Sequence, residues 1–146
     1  AYGPKLDDLA SGRVIPIFQK QFLMDEPITV HGDGSQTRTF VYVEDAAEAV
    51  IKVAFSKKAE GQAFNIGSQK EYSMLELAQI MKKVGKFKSD IKFISHKKVF
   101  GKKYEDIPRR APNVSKIKDV VNWKATTYLE DGLKKTIEYY RKKTGL

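Results

Sequence analysis

Arg38 is the residue whose type and position most directly indicate chemistry. It lies in the stretch VHGDGSQTRTFVYVED (30–45), after a turn with two glycines and before an alternating apolar run. Arginine carries a planar fork of N–H donors, stays charged, and pairs well with the oxygens of a diphosphate. A strand directly after the arginine would hold its backbone rigidly. The position predicts either an anion-binding side chain or a charge that extends to solvent.

A second arginine has a comparable setting near the C-terminal end. Arg110 lies in RRAPN (109–113), where Pro112 stiffens the backbone just beyond it. Most arginines serve surfaces or structural ion pairs, so a nearby carboxylate, such as Asp45 or Asp106, is the competing partner for each arginine. Taken one at a time, a structural pair is the commoner role of such a residue.

The sequence contains few other candidates for catalytic or metal-binding residues. The two histidines, His31 and His96, are far apart in sequence and lack clustered carboxylates, so the pattern predicts no metal site. No serine, histidine and acid combination has the spacing of a nucleophile elbow. Tyr139-x-x-x-Lys143 has the spacing of a tyrosine–lysine catalytic pair, but its place beside the chain end favours coincidence. The glycines form no phosphate-binding loop after a first strand, so no catalytic residue is predicted.

The elements that position the arginines follow from periodicity. Apolar residues at helical spacing predict a helix over 13–24, and PITVHG (27–32) predicts a strand before the glycine turn. Further strands are predicted at TFVYV (39–43), AFNIG (63–67) and DIKFIS (90–95), and a charged loop at 100–113. Further helices are predicted over 46–55, from a capping box at Ser73 and Glu76 to Gly85, over 115–123, and from about Leu129 to Lys143. Strand and helix alternate, which predicts an α/β fold.

Composition excludes several classes of protein. The 146 residues carry a formal net charge of +9 and no cysteine, which excludes disulfides, thiolate catalysis and cysteine-bound metal. The sequence has no run of about 18 apolar residues and no signal-peptide pattern at its start, so a cytoplasmic protein without a membrane span is expected. The lysine pairs are scattered over helix ends and polar faces, which disfavours nucleic acid and favours a small anionic molecule as the partner.

Six segments in one order carry a family resemblance that covers nearly the whole chain. The sequence is similar to the C-terminal half of an extended short-chain dehydrogenase/reductase of the NAD-dependent nucleotide-sugar epimerase/dehydratase family. The segments are YGP (2–4), GRVIPIF (12–18), EPITVHGDGSQTRTFVYVEDAAEAV (26–50), AFNIGSQKEYSMLELAQIM (63–81), RRAPNVSKIKDVVNW (109–123) and YLEDGLKKTIEYYR (128–141). Each motif alone is weak, whereas six in sequence are specific.

The resemblance implies that the whole enzyme consists of two halves with different roles. In that family an N-terminal Rossmann half holds NAD and carries the catalytic Tyr-x-x-x-Lys, which would lie upstream of Ala1. Residues 1–146 are then expected to form a nucleotide-sugar substrate-binding domain, with a small mixed sheet and flanking helices. As a piece of a longer chain, it is expected to be inactive when isolated. NAD is the implied cofactor, a UDP-sugar the implied ligand, and a homodimer the implied state of the whole enzyme.

The resemblance also assigns candidate site residues. Arg38 matches the family's arginine on the diphosphate, and Arg110 matches the second one, with Arg109 as its alternative. The expected nucleotide-lining residues are Val14, Ile15, Pro16, Ile17 and Phe18, together with Val30 and His31 of the strand whose backbone reads the base. Tyr2 and Arg13 are expected near the cofactor.

Several positions depart from the family pattern. Lys5 replaces the usual arginine of GPR, Ile17 replaces an asparagine beside the base, and Asn113 replaces an aspartate after the proline. His31 takes a position that is usually aromatic. These differences leave the identity of the base open.

Three reactions remain open within the family. UDP-glucuronate decarboxylation is slightly favoured, because QTRTFVYVED (36–45), KEYSMLELA (70–78) and TIEYYR (136–141) resemble the decarboxylases. UDP-sugar 4-epimerisation and sugar-nucleotide 4,6-dehydration are the alternatives. A non-catalytic nucleotide-sugar-binding module is the competing class.

Overall fold

The computed structural model describes residues 1–95 and 107–145. Within these ranges the chain forms five α-helices and five short strands, which confirms the predicted α/β class. The helices are α1 (Val14–Leu23), α2 (Val43–Ala54), α3 (Met74–Gly85), α4 (Ser115–Val121) and α5 (Leu129–Thr144), with a 3₁₀ turn at Lys57–Ala59. The strands are β1 (Ile28–His31), β2 (Thr37–Thr39), β3 (Glu71–Ser73), β4 (Ile91–Ile94) and β5 (Arg109–Arg110).

The strands form two small sheets. β1 and β4 pair in parallel, with Ile28 opposite Ile91 and His31 opposite Ile94. In the second sheet, which is mixed, β2 is central and lies antiparallel to β3 and parallel to β5. Parallel strands require a crossover connection, so their pairing joins segments that are distant in sequence. This pairing places β5 directly beside β2.

Three strand predictions need correction. The strand predicted at 39–43 is shifted, because β2 ends at Thr39 and the next residues pair only through one parallel bridge, from Tyr42 to Tyr2. Residues 63–67 join no sheet among the described residues; Phe64 and Ile66 pack instead on the apolar cluster around Trp123. Part of the predicted loop is a strand, since the backbone at 109–110 pairs with β2.

Capping hydrogen bonds and a first-turn proline account for two of the helix starts that the sequence predicted. The Glu76 N–H donates to Ser73 Oγ over 3.1 Å, and the Ser73 N–H donates to the Glu76 carboxylate over 2.7 Å. These two bonds confirm the predicted capping box at the start of α3. Pro16 is accommodated in the first turn of α1, where its missing N–H would have no helical partner.

Two apolar clusters hold the elements together. The larger cluster packs α1 and α3 around β1 and includes the fully buried Ile28, Leu77 and Met81. The smaller cluster lies beneath α2 and α4, around Trp123 and Ile117. Burial of apolar surface stabilises such contacts by about 25 cal/mol per Å². The larger cluster therefore fixes α1 and β1 relative to each other, and these elements carry much of the site described next.

Candidate functional site

A cavity of about 740 Å³ lies among α1, β1, β2 and β5. Its volume is in the range of sites that enclose small organic ligands. Every site residue predicted from the sequence lines it except Val30 and Arg109, the alternative to Arg110. The lining residues in question are Tyr2, Arg13, Val14, Ile15, Pro16, Ile17, Phe18, His31, Arg38 and Arg110.

The two arginines reach the cavity from neighbouring strands. Arg38 of β2 lies directly opposite Arg110 of β5 in the parallel register. Residues opposite each other on adjacent strands point to the same face of the sheet, and the strands are about 4.8 Å apart. Two positively charged side chains that leave neighbouring strands on the same face repel each other, and an anion with several oxygens between them would remove that repulsion. The geometry therefore suits a multiply charged anion.

Arg109, the sequence alternative to Arg110, has a different role. Its register partner is Thr37, so it lies on the opposite face of β5 from Arg110. Its Nη2 lies 2.6 Å from Glu71 Oε1, and its Nε donates to both carboxylate oxygens at 3.0 Å. This bond lowers the pKa of Glu71 and raises that of Arg109. Arg109 does not line the cavity, and its guanidinium is bound to β3.

Asp45, one of the carboxylates considered above as a partner of these arginines, is bonded elsewhere. Arg38 is half-buried, and its Nη1 donates to the Thr37 carbonyl over 2.8 Å. Asp45 is not its partner, because that carboxylate accepts from the N–H groups of Thr126 and Thr127 at 3.2 and 2.9 Å. Asp106 lies outside the described residues. Arg110 is exposed and forms no hydrogen bond or ion pair within the part of the chain that the structure describes.

The N-terminal turn of α1 forms an apolar wall of the cavity. Ile15, Pro16 and Phe18 are buried, and Val14 and Ile17 are half-buried. The first turn contains no acidic residue, so the positive end of the helix dipole is not neutralised locally. Both the helix dipole and the arginine pair thus favour negative charge in this cavity.

The two predicted site residues of β1, Val30 and His31, have side chains on opposite faces of the strand. His31 is half-buried and lines the cavity, and the Gln36 side chain donates to its carbonyl over 3.2 Å. Val30 is fully buried in the larger apolar cluster. Successive side chains of a strand point to opposite faces, so the side chain of Val30 does not line the cavity.

Tyr2 and Arg13, predicted near the cofactor, are held by other parts of this chain. The Tyr2 hydroxyl donates to the Leu129 carbonyl over 3.2 Å, and burial raises the pKa of this tyrosine well above its ordinary value. Arg13 Nη2 lies 2.5 Å from Asp7 Oδ1. The chain has no glycine-rich loop that could hold a pyrophosphate. The position of Tyr2 and Arg13 near a cofactor stays a prediction.

Several lining residues were not identified from the sequence. Asp7, Gln36, Phe40, Gly67 and Pro112 all line the cavity. Gly67 is needed for close approach, since a Cβ there would lie 2.6 Å from Pro112 Cγ. The glycine that ends AFNIG was visible in the sequence, but its contact with the 109–113 segment depends on the fold.

Asn113, which stands where the family pattern has an aspartate, lies at a helix end and does not line the cavity. Asn113 Oδ1 accepts from the Ser115 N–H over 2.9 Å, at the start of α4, and its carbonyl accepts from the Asn65 side chain over 3.1 Å. An aspartate could accept the same bond from Ser115. Ile17, in contrast, does line the cavity, so its wall has an apolar side chain where the family pattern has an amide.

Two further observations concern metal and membrane. No group of three or more His, Cys, Asp or Glu side chains within residues 1–95 and 107–145 is placed to hold a metal ion; His96 lies outside these ranges. None of the helices described is both long and apolar enough to cross a lipid bilayer.

Comparison with known proteins identifies the fold of this chain. The family model described as the NAD dependent epimerase/dehydratase family matches residues 1–67. The UDP-N-acetyl-alpha-D-glucosaminuronate decarboxylase of Bacillus cytotoxicus is 39% identical over 140 residues, which are 96% of this chain and 43% of the relative. UDP-glucuronic acid decarboxylase 1 of Arabidopsis thaliana is 36% identical, over 96% of this chain and 30% of the relative. The chain belongs to the NAD-dependent epimerase/dehydratase family.

Solved structures of the family superpose on nearly the whole chain. The UDP-glucose 4-epimerase of Thermotoga maritima, solved with UDP-glucose, has a TM-score of 0.85 and 29% identity over 98% of this chain and 44% of that protein. The UDP-glucuronic acid 4-epimerase of Bacillus cereus, solved with UDP-glucuronic acid and NAD, has a TM-score of 0.82 and 25% identity, over 97% of this chain and 42% of that protein. The chain thus spans less than half of these relatives and has the fold of the C-terminal part of an extended short-chain dehydrogenase.

Proposed function

We propose that residues 1–146 form a substrate-binding domain that holds the diphosphate of a UDP-sugar for an NAD-dependent enzyme. The observation that carries this proposal is the parallel register of Arg38 and Arg110, which places both side chains at one cavity. Each guanidinium group can donate two parallel hydrogen bonds to phosphate oxygens. The arginines would thereby fix both the position and the orientation of the diphosphate.

The remaining lining residues suit the rest of a nucleotide. The apolar turn of α1, with Ile17 and Phe18, offers a surface for a flat base, and His31 and Gln36 offer polar groups at the neighbouring end of β1. Gln36 is tied to the His31 backbone, so these two residues are held together. We infer that His31 contributes to base recognition in place of the aromatic residue usual in the family.

Decarboxylation of a UDP-uronate is the reaction that we favour. Two relatives with 39% and 36% identity over nearly the whole chain bear the names of decarboxylases that act on UDP-linked uronic acids. NAD, held mainly by residues outside this chain, would supply the redox chemistry, because the sequence contains no glycine-rich loop for its pyrophosphate. The residues on this chain would bind and orient the substrate. A cytoplasmic homodimer of the whole enzyme accords with this role.

Calorimetric titration of the chain with UDP tests the binding role. We expect UDP to bind and uridine, the matched ligand without a diphosphate, to bind at least about tenfold more weakly, because it cannot engage the arginines. UDP-glucuronate should bind at least as well as UDP. Equal binding of uridine and UDP would overturn the proposed role of the arginine pair.

A UDP-sugar 4-epimerase is the second candidate. It is favoured by the 4-epimerases of known structure that superpose with TM-scores of 0.85 and 0.82. The two reactions differ in their products when the complete gene product is incubated with NAD and UDP-glucuronate. Decarboxylation releases CO₂ and leaves a UDP-pentose, whereas epimerisation leaves a UDP-uronate with inverted C4. Nuclear magnetic resonance of the sugar protons distinguishes them.

A further inference from the structure

A second cavity of about 510 Å³ lies between the segment 67–70 and the segment 123–128. Phe40 and Gly67 line both this cavity and the one that contains the arginines. Neither Arg38 nor Arg110 lines the second cavity, so a ligand there would not use the arginine pair. Its volume also falls in the range of small-ligand sites.

The charged side chains around the second cavity are all basic. Lys70, Lys118 and Lys124 line it, and no aspartate or glutamate among the described residues does so. Lys70 Nζ lies 4.9 Å from the centre of the Tyr72 ring. A hydrogen bond with Tyr72 raises the pKa of Lys70. Glu76 and Glu130 act electrostatically on Lys70 from outside the lining. Within the lining the charges of the described residues are the three ammonium groups, which attract an anion.

Aromatic side chains form the other part of the lining. Phe40, Tyr72, Trp123 and Tyr128 all contribute to the cavity wall. Trp123 is only 2% exposed, whereas Tyr128 is 72% exposed. Aromatic rings favour offset or edge-to-face contact with other rings, and this contact adds to the burial of apolar area. The cavity therefore offers a planar group a surface beside the three lysines.

The 123–128 wall is held in place by a buried carboxylate. Asp45 of α2 is 6% exposed, and it accepts from the Thr126 and Thr127 N–H groups and from the Thr126 hydroxyl at 2.9 to 3.2 Å. These bonds occupy both oxygens of Asp45, so its negative charge is directed at the backbone of the wall. A wall fixed before a ligand arrives loses little conformational entropy on binding.

We propose that the second cavity binds a small organic anion with a planar body, such as an aromatic phosphate or carboxylate. The acidic group meets the lysines, and the ring lies against the aromatic side chains. The two cavities share Phe40 and Gly67, but this site uses neither arginine of the proposed UDP site and does not depend on that proposal.

The fluorescence of Trp123 provides a direct test, because it is the one tryptophan of the sequence. The purified chain is titrated with phenyl phosphate, with inorganic phosphate, which lacks the ring, and with benzyl alcohol, which lacks the charge. We expect a saturable change in emission with phenyl phosphate, and apparent affinities at least about tenfold weaker for the other two probes. A change that does not saturate, or equal affinities for all three probes, would overturn the proposal.

Four variants locate the ligand. Lys118→Gln and Lys124→Gln should each weaken phenyl phosphate binding about tenfold, the usual effect of losing one charge-assisted hydrogen bond. Lys134→Gln removes the same charge from an exposed position of α5 outside the cavity and should have little effect. Arg38→Gln removes a charge from the first cavity and should also leave the titration unchanged. Equal weakening by Lys134→Gln, or loss of binding in Arg38→Gln, would refute the site. The comparison of the three probes on the unaltered chain decides the matter even if one variant does not fold.

Discussion

Arg38 and Arg110 are partners in the parallel register of β2 and β5, although they are distant in sequence. The same register turns Arg109 to the other face of the sheet, where it binds Glu71. One narrow sheet thus separates the two arginines at the cavity from a neighbouring arginine with a structural contact. The difference between Arg109 and Arg110 leads to predictions that variants of each can test.

Replacement of either cavity arginine by lysine is expected to weaken UDP binding by about one to two decades, since charge-assisted hydrogen bonds contribute roughly 1.5–3 kcal/mol each. A lysine keeps the charge but cannot present two parallel donors. Because Arg38 and Arg110 would share one diphosphate, the loss in the double variant should be smaller than the sum of the single losses. Titration calorimetry with UDP measures all three variants.

Arg109→Lys is the matched control for this experiment. It alters a neighbouring arginine on the same strand, but on the face that binds Glu71. Its melting temperature is expected to fall while its UDP affinity stays close to that of the wild type. If folded Arg38→Lys protein binds UDP as tightly as the wild type, the proposed role of this arginine in diphosphate binding is wrong.

The ion pair between Glu71 and Arg109 should make stability depend on pH in a defined direction. Hydrogen bonds from Arg109 and Thr37 hold the pKa of Glu71 below its ordinary value of 4.5. A carboxyl group whose pKa is lowered by folding stabilises the folded state above its unfolded pKa, and this contribution is lost as the pH falls through the folded pKa. The difference in melting temperature between the wild type and Glu71→Gln should therefore be largest above pH 4.5 and shrink below it.

Glu60→Gln serves as the control for this pH series, because Glu60 is exposed and has no ion pair among the residues described. Its melting temperature should track that of the wild type at each pH. A difference between Glu71→Gln and the wild type that stays constant from neutral pH to pH 3 would contradict the assigned stabilising role.

The features that were predicted correctly depend on residues close together in sequence. The capping box at Ser73 and Glu76 involves neighbours within one helical turn, and its spacing alone indicates the start of α3. The helical period of 13–24 and the apolar run at 27–32 likewise reflect local structure. The sequence therefore predicted the order of most elements and the ends of several.

The features that were missed depend on distant contacts. β5 forms because the backbone at Arg109 and Arg110 meets β2, and no local pattern indicates that meeting. Residues 63–67 have the composition of a strand, but no strand lies beside them in the described structure. The contact between Gly67 and Pro112 also arises from folding. Family resemblance selected Arg110 over Arg109, and the phase of β5 gives a physical reason why only Arg110 lies at the cavity.

Gly132→Ala is expected to destabilise the chain, although alanine ordinarily stabilises a helix interior by about 0.5–1 kcal/mol relative to glycine. A Cβ at this position of α5 would lie 2.1 Å from the Tyr2 hydroxyl oxygen and 2.9 Å from Tyr42 Cδ2. Overpacking of this kind costs about 1–3 kcal/mol. Urea unfolding measures the difference. Gly12→Ala is the control, because no atom lies within 4 Å of its added Cβ; an increase in stability for Gly132→Ala would show that Tyr2 and Tyr42 adjust freely.

The chain by itself is expected neither to bind NAD nor to convert UDP-glucuronate or UDP-glucose. Its sequence has no glycine-rich phosphate loop, and the Tyr2 hydroxyl and the Arg13 guanidinium are bound within the chain. Calorimetry with NAD and nuclear magnetic resonance of the sugar nucleotides test these expectations separately. Turnover by the purified chain would require catalytic groups that are not recognised in its sequence.

The outer face of α2 should cause the isolated chain to self-associate. Val50, Ile51 and Phe55 are 56%, 58% and 88% exposed, and Ala47 and Ala54 complete an exposed apolar stripe at helical spacing. Exposed apolar patches of a few hundred Å² commonly drive association. We expect light scattering to show species larger than a monomer, and Val50→Ser and Phe55→Ser to shift the population towards the monomer without a large fall in melting temperature.

Met24→Ser is the matched control, since Met24 is also 56% exposed but lies outside α2. A monomeric wild-type chain at all concentrations, or an equal effect of Met24→Ser, would show that the α2 stripe does not mediate association.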